Sequence, residues 1–445
     1  MGLGSLFAFT GPCLPLAAIG LPMVVHLPSY YTGALGLPLS AVGVAFTFVR
    51  LIDIGFDPLL GGLMDRTRSR LGRFRLWLIL SAPVLMLAAW MLFMAAPGVG
   101  VAHLWIWLTV AYVGFSMGSL SQTAWASVLT DDYHERSRVY GWWQMANVLG
   151  MLLVLLLPPI MTLGFHQDEA AGVRAMGWFV ILLLPVTIGV ACWRVGEPDT
   201  RAARPHGRFS DYFRLMLRPT VARLMLADLL LGWAPGVTGI LYLFYFDQIK
   251  HVASGQASIL LLAFFLAGLV FGPVWWALAR RIGKHRALAA AAAAMVIGEL
   301  VVMAAPFSSI GVALAVMALA GASYSGGPLL VRAMMADAGD ELRLETGQDR
   351  TGLLYALLTA TTKIGYALAG LSFVVLGLVG FHRGGGNGAG AILWLQILFI
   401  GTPAAASALA GWVILGHRLD QRRHGEILAA LAALAASPAP KAAAE

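Results

Sequence analysis

The chain has 445 residues, of which 59% are hydrophobic and only 12% charged, and its mean hydropathy is +0.79. A soluble domain carries about twice that share of charge, so a soluble enzyme with an ordinary polar surface and a disordered chain are both excluded. The formal net charge of +8 raises nucleic acid as a partner, and the positions of the charges decide against it.

The first apolar segment, about Leu6 to Tyr31, has no basic leader and no small-residue cleavage site, so it reads as a first span rather than a cleaved signal. Eleven more continuous apolar segments follow. The twelve lie at about 6–32, 39–64, 76–97, 102–130, 138–164, 173–195, 220–248, 255–280, 286–305, 308–337, 351–380 and 390–415. Each is close to the roughly 20 residues that cross a bilayer as a helix. Continuous apolar runs, not ten-residue alternations, favour helices over a closed barrel. Cys13 and Cys192 sit far apart in apolar stretches and suggest no disulfide framework. The expected fold is an all-α membrane protein with twelve transmembrane helices in two six-helix halves.

The domain plan is 1–195 for the N-terminal half, 196–219 for a linker, 220–415 for the C-terminal half and 416–445 for a tail. Within the linker, Gly196 to Gly207 is polar, and Phe209 to Leu217 is expected as a surface helix. The tail from Glu426 is alanine-rich and expected to begin helical, with Pro438 and Pro440 breaking it.

Basic residues fall on alternate connections. Arg66, Arg68, Arg70, Arg73 and Arg75 lie on one side, as do Arg136 and Arg138, the linker arginines, Arg280, Arg281, Lys284 and Arg286, then Arg343 and Arg350. The opposite side has Arg174, Lys250 and Arg383. Positive charge marks the cytoplasmic side, which places both termini there, in a cytoplasmic (inner) membrane. The basic balance is then a topology signal, and no nucleic acid is expected. An internal repeat supports two halves: Asp65-Arg66 leading to Gly72-Arg73 after the second span is echoed by Arg280-Arg281 leading to Gly283-Lys284 after the eighth.

Those loops carry a resemblance. The run Arg50-Leu51-Ile52-Asp53 with Asp57-Pro58, then Asp65-Arg66 and Gly72-Arg73-Phe74-Arg75, is similar to the glycoside–pentoside–hexuronide:cation symporters. This is the melibiose-permease-like branch of the major facilitator superfamily. Ala336-Asp337, Asp340-Glu341, Thr346-Gly347, Arg350, Gly352 and Lys363 agree in order and spacing. The resemblance implies the major facilitator fold and cation-coupled symport of a small solute, most readily a sugar or glycoside.

Arg50, Asp53 and Asp57 stand at i, i+3 and i+7, on one face of the second helix. A charge at a helix centre costs roughly 2.5–3.5 kcal/mol on insertion scales, so such groups have partners and face a cavity. Two readings stand: a cation site for Na+ or H+ made by Asp53 and Asp57, or a structural Arg50–Asp53 pair. Lys363 is the one lysine inside an expected span, about 12 residues in, too deep for easy snorkelling. The resemblance places a functional lysine there, near the cation site. Asp228 in the seventh span would add one uncompensated negative charge if it faced the cavity.

For the solute, the fourth span offers Ser121, Gln122 and Trp125. The resemblance assigns Trp125 to stacking on a sugar ring, and a lipid-facing or core-packing role is the competing reading. Gln144 and Asn147 are either solute contacts or interhelical bonds, and His26 is either a solute contact or an interfacial polar residue. The family pattern has a sugar-binding aspartate where Ser121 stands, an arginine near Gln144, and a lysine–aspartate pair in the first span, which is apolar here around Pro12, Pro15 and Pro22. Those departures leave an anionic or lipid-like solute as an alternative. Asp65, Arg66, Arg73, Arg136, Arg138, Arg332, Asp337 and Asp340, with Asp131, Asp132, Glu135 and Glu341 beside them, are expected to gate the cytoplasmic side, or else to form surface pairs worth about 0–1 kcal/mol.

No G-x-x-x-x-G-K-[ST] loop indicates ATP, and no H-E-x-x-H run or cysteine cluster indicates a metal enzyme. No cofactor beyond a coupling ion is expected, and the chain does not read as an enzyme. The expected partners are the solute, the cation and the bilayer. A non-transporting membrane receptor for the solute is the rival class.

Overall fold

Lipid offers no hydrogen bonds, so each apolar segment must satisfy its backbone internally, and the segments do so as helices. The computed structural model describes residues 2–129, 133–197, 215–347, 350–383, 385–417 and 419–436, and not the side chains of 65, 133, 134, 136, 137, 351 and 434–436. Twelve helices are long and apolar enough to cross a membrane. They are α1 (Leu3–Gly33), α2 (Leu39–Met64), α3 (Arg73–Phe93), α4 (Val101–Val128), α5 (Arg138–Gly164) and α6 (Glu169–Arg194). The second six are α7 (Pro219–Gln248), α8 (Ser254–Ile282), α9 (Lys284–Ala304), α10 (Ile310–Thr346), α11 (Gly352–Leu378) and α12 (Ala389–Leu415). A further helix, α13 (Gln421–Ala436), follows in the tail. Most of the expected linker helix lies outside the described residues.

Helix ends differ from the apolar runs where polar residues extend them. α6 starts at Glu169 because Asp168 caps it, its Oδ1 accepting from the Ala171 N–H at 2.8 Å. α10 runs nine residues past its apolar stretch as an amphipathic turn-out, and Gly347 ends it in the left-handed conformation at φ +68°. Large apolar side chains on the outer surface, such as Leu182, Val270 and Leu378, are exposed, as lipid contact requires. Trp193 and Trp412 stand exposed at the ends of α6 and α12, where interfacial tryptophans belong.

The two halves repeat one packing plan. α1 packs on α5 and α6, α2 on α4, and α3 on α4 and α6. In the same way α7 packs on α11 and α12, α8 on α10, and α9 on α10 and α12. Between halves, α2 meets α11 and α5 meets α8. The glycines of the sequence repeat are equivalent in conformation too: Gly72 (φ +100°) and Gly283 (φ +90°) precede α3 and α9. At Gly72 the Glu197 carboxylate caps the helix, accepting from the N–H groups of Arg73 (2.9 Å), Phe74 (3.0 Å) and Arg75 (3.0 Å). A Cβ at residue 72 would strike that side chain.

The α2–α11 contact is closed at one end and splayed at the other. Near the arginine-poor side, a methyl on Gly43 would lie 2.6 Å from the Phe373 Cβ, and one on Gly377 3.1 Å from the Ser40 Cβ. Toward the arginine-rich side, Gly55, Gly61, Gly62 and Gly352 have no neighbour within 4 Å of such a methyl. The α2–α11 contact is therefore open toward the arginine-rich face.

Candidate functional site

A cavity of about 430 Å³ lies between the halves, lined from α1, α2, α4 and α5 on one side and α7 to α11 on the other. Its size falls in the ordinary range for small-ligand pockets, roughly 300–1,000 Å³. Much of the wall is apolar: Leu21, Met23 and Val24 face Phe264, Phe265 and Met317. The polar groups are few. Besides the tyrosines Tyr112, Tyr242, Tyr324 and Tyr366, Arg50, Asp53, Gln144 and Asn147 come from the first half, and Thr238, Glu299 and Lys363 from the second.

Lys363 bridges the two carboxylates of α2. Its Nζ donates to Asp53 Oδ2 at 2.7 Å and to Asp57 Oδ2 at 2.5 Å, linking α11 to α2 across the molecule. The Ser116 hydroxyl donates to the other oxygen of Asp53 at 2.8 Å. The remaining oxygen of Asp57, Oδ1, is buried without a hydrogen-bond partner. Asp53 is 5% exposed and Asp57 21%, so the pair is reachable mainly at Asp57. Arg50 does not join them. Its Nε donates to the Tyr112 hydroxyl at 2.6 Å, and its guanidinium lies over the Tyr366 ring at 5.1 Å. The expected helical face does gather both aspartates, but the cation between them is Lys363 from the other half, and the Arg50–Asp53 pair is not made.

Three expected solute residues lie elsewhere. Trp125 is fully buried and meets Phe9 edge-on at 5.3 Å. Gln122 donates to the Phe9 carbonyl and to Cys13 Sγ, both at 3.1 Å, and Ser121 to the Gly118 carbonyl at 3.0 Å. All three sit in the α1–α4 packing and none lines the cavity. The apolar, proline-broken α1 leans on that face of α4 and covers it. Gln144 and Asn147 do line the cavity, and Asn147 also bonds its own helix at the Trp143 carbonyl, 2.8 Å away.

Asp228 is likewise displaced. It stands ten residues before Thr238 on α7, roughly 15 Å along the axis. It lines a smaller neighbouring cavity with Arg332, and its Oδ2 accepts from Thr361 at 2.8 Å and Thr362 at 2.7 Å. His26 belongs to the closed end, its Nε2 lying 3.2 Å from Ser258 Oγ of α8. There Arg383 donates to the Ser29 carbonyl and to Glu169 Oε2 at 2.8 Å, tying the second half to the first.

On the arginine-rich face, the described pairs stay within one half. Lys284 bonds both Asp337 oxygens at 2.7 Å, His424 of α13 bonds Asp340 at 2.9 Å, and Arg138 pairs with Glu135 at 3.0 Å. Arg332 lines the smaller cavity together with Asp228. Arg66 is exposed, and the Arg73 guanidinium lies over the Phe74 ring at 4.3 Å. The Asp65 and Arg136 side chains, with Asp131 and Asp132, lie outside the described residues.

Glu299 is absent from the sequence-based expectations, although its signal is legible: it is the one acidic residue of α9. Tyr112 and Tyr366, which hold Arg50, were equally unmarked, because a tyrosine in a span carries no charge signal.

A family model described as MFS/sugar transport protein matches residues 8–421. The chain is 27% identical over 371 residues to the uncharacterised symporter YnaJ of Bacillus subtilis (strain 168), covering 80% of this chain and 77% of that one. It is 22% identical over 420 residues to the isoprimeverose transporter of Lactiplantibacillus pentosus, covering 89% and 84%. Over 414 residues it is 22% identical to the glucuronide carrier protein homolog of Escherichia coli (strain K12), covering 91% and 90%. Among solved structures, the nucleoside transporter NupG superposes with a TM-score of 0.65 at 16% identity, covering 94% of this chain and 99% of that one, and supports the fold. The twelve spans, their repeated packing and these matches make the protein a multi-pass membrane transporter, not an enzyme. The chain belongs to the sugar-transport family of the major facilitator superfamily, among the glycoside–pentoside–hexuronide symporters.

Proposed function

We propose that the protein is a cation-coupled symporter of a small polar solute, most readily a sugar or glycoside, and that the Asp53–Lys363–Asp57 bridge is its coupling element. The carrying observation is that one ammonium, from the second half, occupies the space between two carboxylates of the first. An ammonium there stands in for a monovalent cation. A hard cation such as Na+ takes oxygen ligands, and the unpartnered Asp57 Oδ1 offers one more; protonation of the same oxygen is the H+ version. Cation and Lys363 compete for the pair. When the cation binds, the Lys363 amine is released into the cavity it already lines, where it can bond a solute oxygen. Cation binding then raises solute affinity, and solute binding raises cation affinity equally.

Positive charge marks the cytoplasmic side, so the arginine-rich face is cytoplasmic and carries both termini. The structure is then the inward-facing state, and Arg383 with Glu169 and Ser29 seals the outer end. The apolar wall of Phe264, Phe265 and Met317 favours a second reading: a glycoside with an apolar aglycone, or a lipid-like solute. Uptake of labelled lactose, raffinose, isoprimeverose and a phenyl glucuronide into proteoliposomes tests both readings. Accumulation of at least one sugar driven by a Na+ or H+ gradient is expected. Equal entry with and without gradients removes coupling, and preference for the phenyl compound selects the second reading.

A further inference from the structure

We propose that Glu299 is a second ion-binding site of this transporter, in the C-terminal half, and that its ion is a proton. The proposal rests on reading the central cavity as the transport path, but not on Asp53 and Asp57.

Glu299 stands on α9, is 8% exposed and lines the central cavity. Its described hydrogen-bond partner is a neutral group, the Thr238 hydroxyl of α7, at a long 3.5 Å. Thr238, Tyr242 and Tyr245 follow at i, i+4 and i+7 and share one face of α7. The Tyr242 hydroxyl is committed to the Ala257 carbonyl at 3.0 Å, whereas the Tyr245 hydroxyl is buried without a partner. Tyr324 of α10 lines the same cavity.

Among the described residues, the cations on that cavity are Arg50 and Lys363, and both are engaged elsewhere, with Tyr112 and with the two aspartates. Lys250 meets the C-terminal end of α9, but its amine is bonded there to the Met303 and Ala305 carbonyls. α12 contains no ionisable residue, and those of α8 are Arg280 and Arg281 at its far end. Arg50 and Lys363 already balance Asp53, which lines the cavity, and Asp57, which shares Lys363 with it, so Glu299 is the unmatched charge. A buried carboxylate without a cation is neutralised rather than left ionised. A metal ion would need several oxygen ligands, and no group of three acidic, histidine or cysteine residues is present among the described residues. A proton needs one oxygen. An O–H bond forms at the Glu299 carboxyl with a proton from external water and breaks to cytoplasmic water, moving one positive charge per cycle.

The test needs no solute. Infrared difference spectra of the full chain in lipid nanodiscs are recorded as pH is raised from neutral. The unmutated protein is expected to show the carbonyl band of a protonated carboxylic acid that disappears at alkaline pH. Glu299→Gln should remove that band and Asp57→Asn should keep it. A band that survives Glu299→Gln, or no band in the unmutated protein, overturns the proposal. Glutamine matches the shape of the neutral acid, so the variant should fold and melt as the unmutated protein does at neutral pH. If it does not fold, Glu299→Asp gives the second readout: a band moved in frequency supports the assignment and an unmoved one overturns it. A protein that shows the band but takes up none of the labelled sugars keeps the proton site and removes the symport reading.

Discussion

At the scale of single residues, the placement of Lys363 decides most. Its ammonium neutralises two buried carboxylates, and breaking such a pair from one side costs about 3–5 kcal/mol, because the other charge stays buried. Lys363→Met should therefore lower thermal stability in choline chloride and recover much of the loss in NaCl, if Na+ fills the vacated place. Melting curves in the two salts check this, and equal melting in both would show that the carboxylates hold no Na+. Trp125 gives the opposite kind of test. Packed against Phe9 with no cavity exposure, it should cost about 3–5 kcal/mol when cut to alanine and leave solute affinity unchanged in the folded fraction. A selective loss of solute binding would restore it to the solute site. His417, outside the spans, is 5% exposed, and burial with His285 and Arg223 nearby pushes its imidazole down to about 4. The unfolded chain takes up that proton near 6.5, so His417 supports the fold fully above 6.5 and loses that support as pH falls toward 4, about 3 kcal/mol in all. His417→Gln should flatten the fall in melting temperature across that window, and parallel curves would contradict it.

At the scale of elements, the glycine contacts of α2 with α11 define which end is shut. Gly43 meets Phe373 too closely for a side chain, so Gly43→Leu should hold the arginine-poor end apart and favour an outward-facing state. Labelling of a single cysteine placed at Ser40 by an external thiol reagent should then rise, and unchanged labelling would mean the contact is not the seal. The Glu197 cap on α3 should behave more modestly: Glu197→Ala removes partners from three N–H groups and should cost about 0.5–2 kcal/mol. The spans were legible because each is a long apolar run, and the repeat because both loops carry the same glycine. Asp53, Asp57 and Lys363 were legible because charge inside a span stands out. The resemblance put Lys363 near the aspartate pair, but the residues alone did not give the bridge, since nothing in the sequence tells which face of α11 turns to α2. The Phe9 neighbour of Trp125 was illegible for a related reason: the position of Trp125 in α4 is fixed by sequence, but its neighbour is fixed by how α1 leans. Glu197 lay outside the apolar pattern, and its partners are backbone groups that no side-chain motif records.

At the scale of the whole molecule, the halves are two near-equivalent bodies in contact along α2–α11, α5–α8 and α1–α7, with a charged bridge at the centre and the Arg383 contacts at the shut end. On the proposed mechanism, rocking breaks one set of contacts and makes another, with the ion acting at the bridge. Asp57 is the more exposed carboxylate and holds the unpartnered oxygen, so Asp57→Cys isolates the ion without emptying the cavity. A neutral thiol supplies no charge to draw a cation from water into a low-dielectric space. The direct measurement is gradient-driven accumulation of whichever labelled sugar the unmutated protein carries, in proteoliposomes with an imposed Na+ or H+ gradient. The unmutated protein should concentrate it above the bath, and Asp57→Cys should only equilibrate it. Accumulation by Asp57→Cys to the unmutated level would contradict the coupling site.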